Sequence, residues 1–241
     1  WHSYNIITGN DCWDVSLTGI AASVLPDGPK HEQYLKWLDK FADFVLSIKD
    51  ENGDLIPLMF RPYHELTGSW FWWGKDLCSA DEYKQLWRMT YNYLTNEKNV
   101  YNLLYVYSTS NFNDTTLFLE RYPGDDVVDI LGFDIYQYGD DLNVAQQEFL
   151  KQLKLQCELI SPLAKQKNKP WAVCEAGIES IPLNNWFTEL GKVLIPTDAR
   201  YILFWRNAHD RESHFYAPYK GHASEDDFKT FVQESRNQGQ L

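Results

Sequence analysis

The sequence predicts an α/β fold built on a parallel sheet, in one domain covering residues 1–241. Three observations carry that expectation. Short apolar runs rich in β-branched and aromatic residues recur along the chain, each bounded by turn or polar residues, as strands buried on both faces require. Longer amphipathic stretches separate them, and alternation of the two kinds reads as successive βα units. No low-complexity linker, repeat or break in composition divides the chain. An open doubly wound sheet and a closed barrel both fit this pattern.

The predicted strands lie at residues 55–61, 102–108, 127–136, 170–175 and 201–206. The first predicted helix, residues 31–50, repeats apolar side chains at three and four through Tyr34, Leu35, Leu38, Phe41, Val45 and Ile48, and Gly53 follows as a stop. Similar periodicity marks residues 81–96, 144–167, 183–194 and 224–234. The last opens with Ser224 and three acids, which suit an N-cap and the positive end of a helix dipole better than a metal.

Composition removes several function classes. Asp+Glu 34 against Lys+Arg 22 gives a formal net charge of −12, which phosphate backbones and anionic lipid repel. No apolar run reaches the roughly 18 residues that span a bilayer. The four cysteines (Cys12, Cys78, Cys157 and Cys174) show no C-x-x-C spacing, and Cys157 and Cys174 sit in apolar contexts as core thiols do. The G-x-G-x-x-G, Walker, H-E-x-x-H and G-x-S-x-G patterns are all missing from the sequence. The unusual feature is aromatic: 10 Trp and 15 Tyr, several in one short loop.

The chemistry gathers at strand ends. The first predicted strand runs into Pro62-Tyr63-His64-Glu65 and then Gly68-Ser69-Trp70-Phe71-Trp72-Trp73-Gly74; the fourth ends in Glu175-Ala176-Gly177. In a barrel of parallel strands the active site lies at that end. Two facing carboxylates are what glycosidic bond cleavage needs, one protonated for the leaving oxygen and one ionised to attack or to activate water. Their mutual repulsion helps to separate their proton affinities. Taken singly, Glu65 reads better as a partner of Arg61, and Glu175 as a strand-end carboxylate held by backbone donors. Together, beside stiff aromatic platforms that match the C–H faces of sugars, the catalytic reading leads. At least two of the four aromatics from Trp70 to Trp73 are expected to be structural. His31 and His222 read as surface residues, and His209 and His214 as weaker candidates for reaching a substrate.

Arg61-Pro62-Tyr63-His64-Glu65 with Trp70-Phe71-Trp72-Trp73-Gly74 resembles the fourth-strand motif of glycoside hydrolase family 26. Later segments agree in order: Gly132-Phe133-Asp134-Ile135-Tyr136 resembles the sixth strand, Trp171-Ala172-Val173-Cys174-Glu175-Ala176-Gly177 the seventh, and Phe204-Trp205-Arg206-Asn207-Ala208 the eighth. The resemblance covers essentially the whole chain. It implies a (β/α)8 barrel and a retaining hydrolase, in most of the family an endo-β-1,4-mannanase acting on mannan, glucomannan or galactomannan. By the same resemblance Glu65 is the acid/base and Glu175 the nucleophile. His64 contacts sugar in the −1 subsite, where most of the clan has Asn. Tyr136 holds the nucleophile, Trp205 floors the −1 subsite and Trp70 lines the cleft. Asp134 and Arg206 are polar partners of the site, with a buried ion pair as their plain alternative. His2 and Trp13 line glycone subsites.

That mechanism calls for no metal or organic cofactor, and the expected partner is a β-mannan polysaccharide met by a monomer. A substrate of that size places the enzyme outside the cytoplasm: secreted, on the cell surface or in the periplasm. A mixed-linkage β-glucanase or β-1,3-xylanase of the same family, and a non-catalytic sugar-binding barrel, remain alternatives. Trp1-His2 is similar to the end of the third strand, so strands three to eight are expected in this chain and the first two βα units are expected to be missing. At roughly 40 residues per unit a full barrel needs roughly 320 residues (compare), and 241 is about three quarters of that.

Overall fold

The computed structural model describes residues 2–237. The chain divides into two compact units, Trp1–Ser110 with Thr116–Ile130, and Asn111–Thr115 with Leu131–Leu241. In the first unit, α1 (Ile20–Val24) and α2 (His31–Ser47) precede β1 (Leu58–Phe60), α3 (Ala80–Asn92) with a π-helical turn at Tyr93–Glu97, and β2 (Leu103–Thr109). After the short α4 (Thr115–Leu119), the second unit carries β3 (Ile130–Tyr136), α5 (Leu142–Lys167), β4 (Trp171–Gly177), α6 (Trp186–Leu194), β5 (Ile202–Phe204) and α7 (Glu225–Asn237). β1 and β2 pair in parallel, Phe60 opposite Tyr105; β4 pairs in parallel with both β3 and β5. The expected α/β class with parallel strands is therefore what the chain forms.

Local chemistry sets the element ends. α2 buries Tyr34, Leu38, Ala42 and Val45, one stripe at helical spacing. It stops at Ser47, short of the predicted end, because Asp50 draws the chain into a turn: its carboxylate accepts from Asn52 and Asp54 N–H, and Gly53 sits at φ 87°. α3 begins with a capping box, Ser79 and Glu82 each satisfying the other's backbone N–H. α5 opens on Asp141, which accepts from Asn143 and Val144 N–H, and closes on Asn168 in the left-handed region.

Three expectations need correction. Burial on both faces holds for β3, for β4 and for β2 apart from the exposed Leu104, but not for β1 and β5, where Met59 and Leu203 are exposed. Residues 2–5 form no strand, because no ladder engages them; Trp1 lies outside the described residues. Ser224 holds the expected place before α7, its carbonyl accepting from Phe228 N–H with three acids in the turn that follows. Its hydroxyl, however, donates to Leu183 O and takes no bond from an N–H of that turn. The acid that does cap is Asp227, and it caps a different helix: its carboxylate accepts from Phe187 N–H at 2.8 Å and Thr188 N–H at 3.0 Å in the first turn of α6. Among the described residues no helix is long and apolar enough to cross a membrane.

Aromatic side chains fill the core of each unit. In the first, the Tyr63 ring meets Trp72, Trp73, Tyr83 and Trp87 edge-on, with centroids 5.9–6.5 Å apart. Its hydroxyl bonds to Tyr34 and Thr90 in a fully buried chain. In the second, Phe187 and Phe204 pack against Phe228 and Phe231 of α7. All four cysteines are buried free thiols, and burial pushes Cys157 up to about 12. Core packing accounts for them.

Candidate active site

The first unit brings Glu65, Trp70, His64, His2 and Trp13 into one neighbourhood. β1 ends at Phe60, and the chain turns sharply, with Tyr63 at φ 49° and Glu65 at φ 54°. Left-handed backbone at residues with a Cβ costs about 1–3 kcal/mol each and persists only where the surroundings hold it. Three bonds hold it here: Tyr83 donates to Tyr63 O (2.9 Å), Trp73 Nε1 to His64 O (2.8 Å), and Glu65 N–H to Ser108 O at the end of β2 (2.9 Å). The turn thus fixes the direction in which the half-buried Glu65 side chain leaves the backbone.

Of the four aromatics that follow, Phe71, Trp72 and Trp73 are buried, while Trp70 is 40% exposed. More of the run is structural than expected, since Trp72 Nε1 also donates to Ser3 O and Phe71 packs under the histidines. Trp70 differs because its indole N–H donates to Glu65 Oε2 at 2.7 Å. Gly68 makes this geometry possible: a Cβ there would lie 2.3 Å from the Trp70 ring.

His64 is 3% exposed and stacks on His2, with centroids 4.9 Å apart and planes 7° apart. Their Nε2 atoms approach to 3.3 Å, so one ring donates and the other accepts. Burial, and secondarily the positive charge of Arg61, hold His64 well below the usual histidine range, so its ring is neutral. Its Nδ1 has no hydrogen-bond partner among the described residues. Trp13 is exposed and packs on Phe71 at 4.5 Å, so Phe71 seats Trp13, His2 and His64 together.

The second unit gathers Glu175, Tyr136 and Asp134. Glu175 lies within β4, which continues two residues past the predicted end. It is 4% exposed, and Tyr136 donates to its Oε2 at 2.6 Å, a short charge-assisted bond. Asp134 and Tyr136 share one face of β3, and Asp134 stands opposite Glu175 in register after an irregularity at Phe133. Trp205 follows β5 and is half-buried, its N–H donating to Ala176 O. Arg206 is exposed, and no hydrogen bond or ion pair joins it to any described residue, so the buried Asp134–Arg206 pair does not form.

Two features escaped the sequence reading. The loop after β5 folds back so that Tyr216 packs against Tyr136, and His214 of that loop pairs with Glu179 at 2.7 Å. The signal was weak because both contacts join residues far apart in sequence. His31 and His222, expected at the surface, are half-buried: His31 bonds to Val24 O, and His222 accepts from Ser224 N–H. His209 is exposed.

Parallel βα units with functional side chains at the C-terminal ends of their strands define a broad class of α/β proteins that act on ligands at that end. The chain belongs to glycosyl hydrolase family 26, whose sequence model matches residues 3–168. A mannan endo-1,4-beta-mannosidase of Bifidobacterium adolescentis is 36% identical over 98% of this chain and 25% of its own length. The GH26 beta-mannanase BoMan26A of Bacteroides ovatus superposes with a TM-score of 0.93, at 44% identity, over 98% of this chain and 67% of that one. The catalytic domain of the GH26 endo-beta-1,4-mannanase of Bacillus sp. JAMB-750 gives 0.90 and 34% over 97% and 64%. The chain thus spans a quarter of that curated relative and about two thirds of these two solved chains.

Proposed function

We propose that this chain carries the catalytic residues of a retaining endo-β-1,4-mannanase acting on mannan, glucomannan or galactomannan. Its membership of family 26 is the observation that supports the reading most, and the hydrogen bonds on the two glutamates suit the roles assigned. In this reading β1 to β5 belong to a (β/α)8 barrel that presents both carboxyls to the sugar.

The Glu175 carboxylate attacks the anomeric carbon as the glycosidic C–O bond breaks, and Glu65 gives its proton to the departing oxygen. A water molecule then gives a proton to Glu65 and adds to the same carbon, releasing Glu175. Tyr136 fixes one Glu175 oxygen by its hydrogen bond. The Trp70 indole orients Glu65. Neutral His64 donates to or accepts from a sugar hydroxyl in the −1 subsite, Trp205 floors that subsite, and Asp134 and Arg206 serve as its polar groups. His2 and Trp13 line glycone subsites, where an exposed indole suits the C–H face of a pyranose. These steps use side chains and water alone, with no metal or organic cofactor. A polysaccharide substrate places the work outside the cytoplasm.

Product analysis on mannan, barley β-glucan and β-1,3-xylan tests the substrate, and mannan oligosaccharides are the expected products. Activity confined to the glucan or the xylan overturns the mannanase assignment. Glu175→Ala should abolish turnover of an activated aryl mannoside, and external azide should restore it with formation of the α-mannosyl azide. Turnover that survives the substitution refutes the nucleophile.

A further inference from the structure

We propose that Tyr216 is a positioning residue for the Glu175 carboxylate, acting through Tyr136. The inference rests on the assignment of Glu175 above, but its contacts are independent of any substrate. Tyr136 reaches Glu175 with one orientation of its ring, and two rings pack against it: the exposed Tyr138, tilted, at 6.1 Å, and the buried Tyr216, edge-on, with centroids 5.8 Å apart and planes at 76°. Tyr216 is itself held on three sides. Its ring lies over Gly177 at the end of β4, where a Cβ would come within 2.3 Å of Tyr216 Cδ1, so only glycine allows the approach. His214 meets it edge-on at 5.3 Å, fixed in turn by Glu179. Asn207 clips the backbone beneath: its Oδ1 accepts from Tyr216 N–H (2.9 Å) and Ala217 N–H (3.0 Å), and its Nδ2 donates to Ala217 O (2.8 Å).

The Tyr216 hydroxyl has no such duty. It bonds to no described residue, and burial pushes the phenol up to about 12, so it neither holds a neighbour nor exchanges a proton near neutrality. The ring is the working part. Loss of the ring should free Tyr136 to swing away from Glu175, whereas loss of the hydroxyl should change little.

The test reads the carboxyl directly. The protein is labelled with ¹³C at glutamate side-chain carboxyls, and the Glu175 resonance, assigned with Glu175→Gln, is followed against pH. Tyr136→Phe removes the donor that favours the charged form, and should move the midpoint upward by about one unit. Tyr216→Leu should move it in the same direction by at least half as much, Asn207→Ala by less, and Tyr216→Phe should restore the wild-type midpoint. Should Tyr216→Leu not fold, the upward shift in Asn207→Ala decides. A wild-type midpoint in Tyr216→Leu, or in Asn207→Ala where that variant decides, overturns the inference, as does an unshifted Tyr136→Phe. The titration needs no turnover, so failure of the mannanase reading, seen as activity surviving in Glu175→Ala, shows separately.

Discussion

His64 gives the folded protein a specific dependence on acid. The ring is 3% exposed, stacked on His2, and kept neutral chiefly by burial and secondarily by the charge of Arg61. In the unfolded chain the same ring takes up a proton near pH 6.5. Because its folded-state value is depressed, below that pH the unfolded chain binds one more proton than the folded chain, and stability falls as pH falls. The limiting slope is about 1.4 kcal/mol per pH unit. With the folded ring neutral throughout, the loss from pH 7 to pH 5 integrates to about 1.9 kcal/mol. His64→Asn keeps a neutral polar side chain and removes the titration. Urea unfolding of both proteins at pH 7, 6 and 5 isolates the histidine from the carboxylates they share. The stability of wild type minus that of the variant should fall by about 1.9 kcal/mol across the range. A constant difference would refute the argument, since the ring would then be titrating equally in both states.

Two further substitutions test the packing. Tyr63→Phe leaves the Tyr34 and Thr90 hydroxyls buried without their shared partner and should cost about 2–3 kcal/mol in urea unfolding, with activity per folded molecule unchanged. Asp227→Ala removes the cap on α6 and should cost about 1–2 kcal/mol in thermal unfolding, whereas Asp226→Ala, next door but 99% exposed, should leave the midpoint in place.

Much of this molecule was legible in the sequence, for identifiable reasons. All five strand runs form strands, because a continuous apolar run flanked by turn residues has few other uses. Their lengths were overestimated at β1, β3 and β5, where apolar residues such as Leu55, Ile56, Val127, Val128 and Trp205 continue the run beyond the ladder. α1 and α4, five residues each, carry too little periodicity to register. The strand ends were readable as the place to look, and the structure joins Trp70 to Glu65 and Tyr136 to Glu175 there. Which tryptophan faces solvent was not readable, since buried and ligand-facing indoles share one composition; the distinction comes from Gly68, which lets only Trp70 fold back. The left-handed backbone at Tyr63 and Glu65 has no glycine to announce it. Asp227 and Tyr216 act on partners roughly 40 and 80 residues away in sequence, and local patterns carry no trace of such contacts.

A double displacement at the anomeric carbon, by Glu175 and then by water with Glu65 as acid and base, fixes the stereochemistry of the first product. Proton NMR of a mannan oligosaccharide digest, recorded before mutarotation, should show the β-anomer forming first, as two inversions at one carbon require. First appearance of the α-anomer would mean a single displacement by water, with the two carboxyls set too far apart for Glu175 to attack.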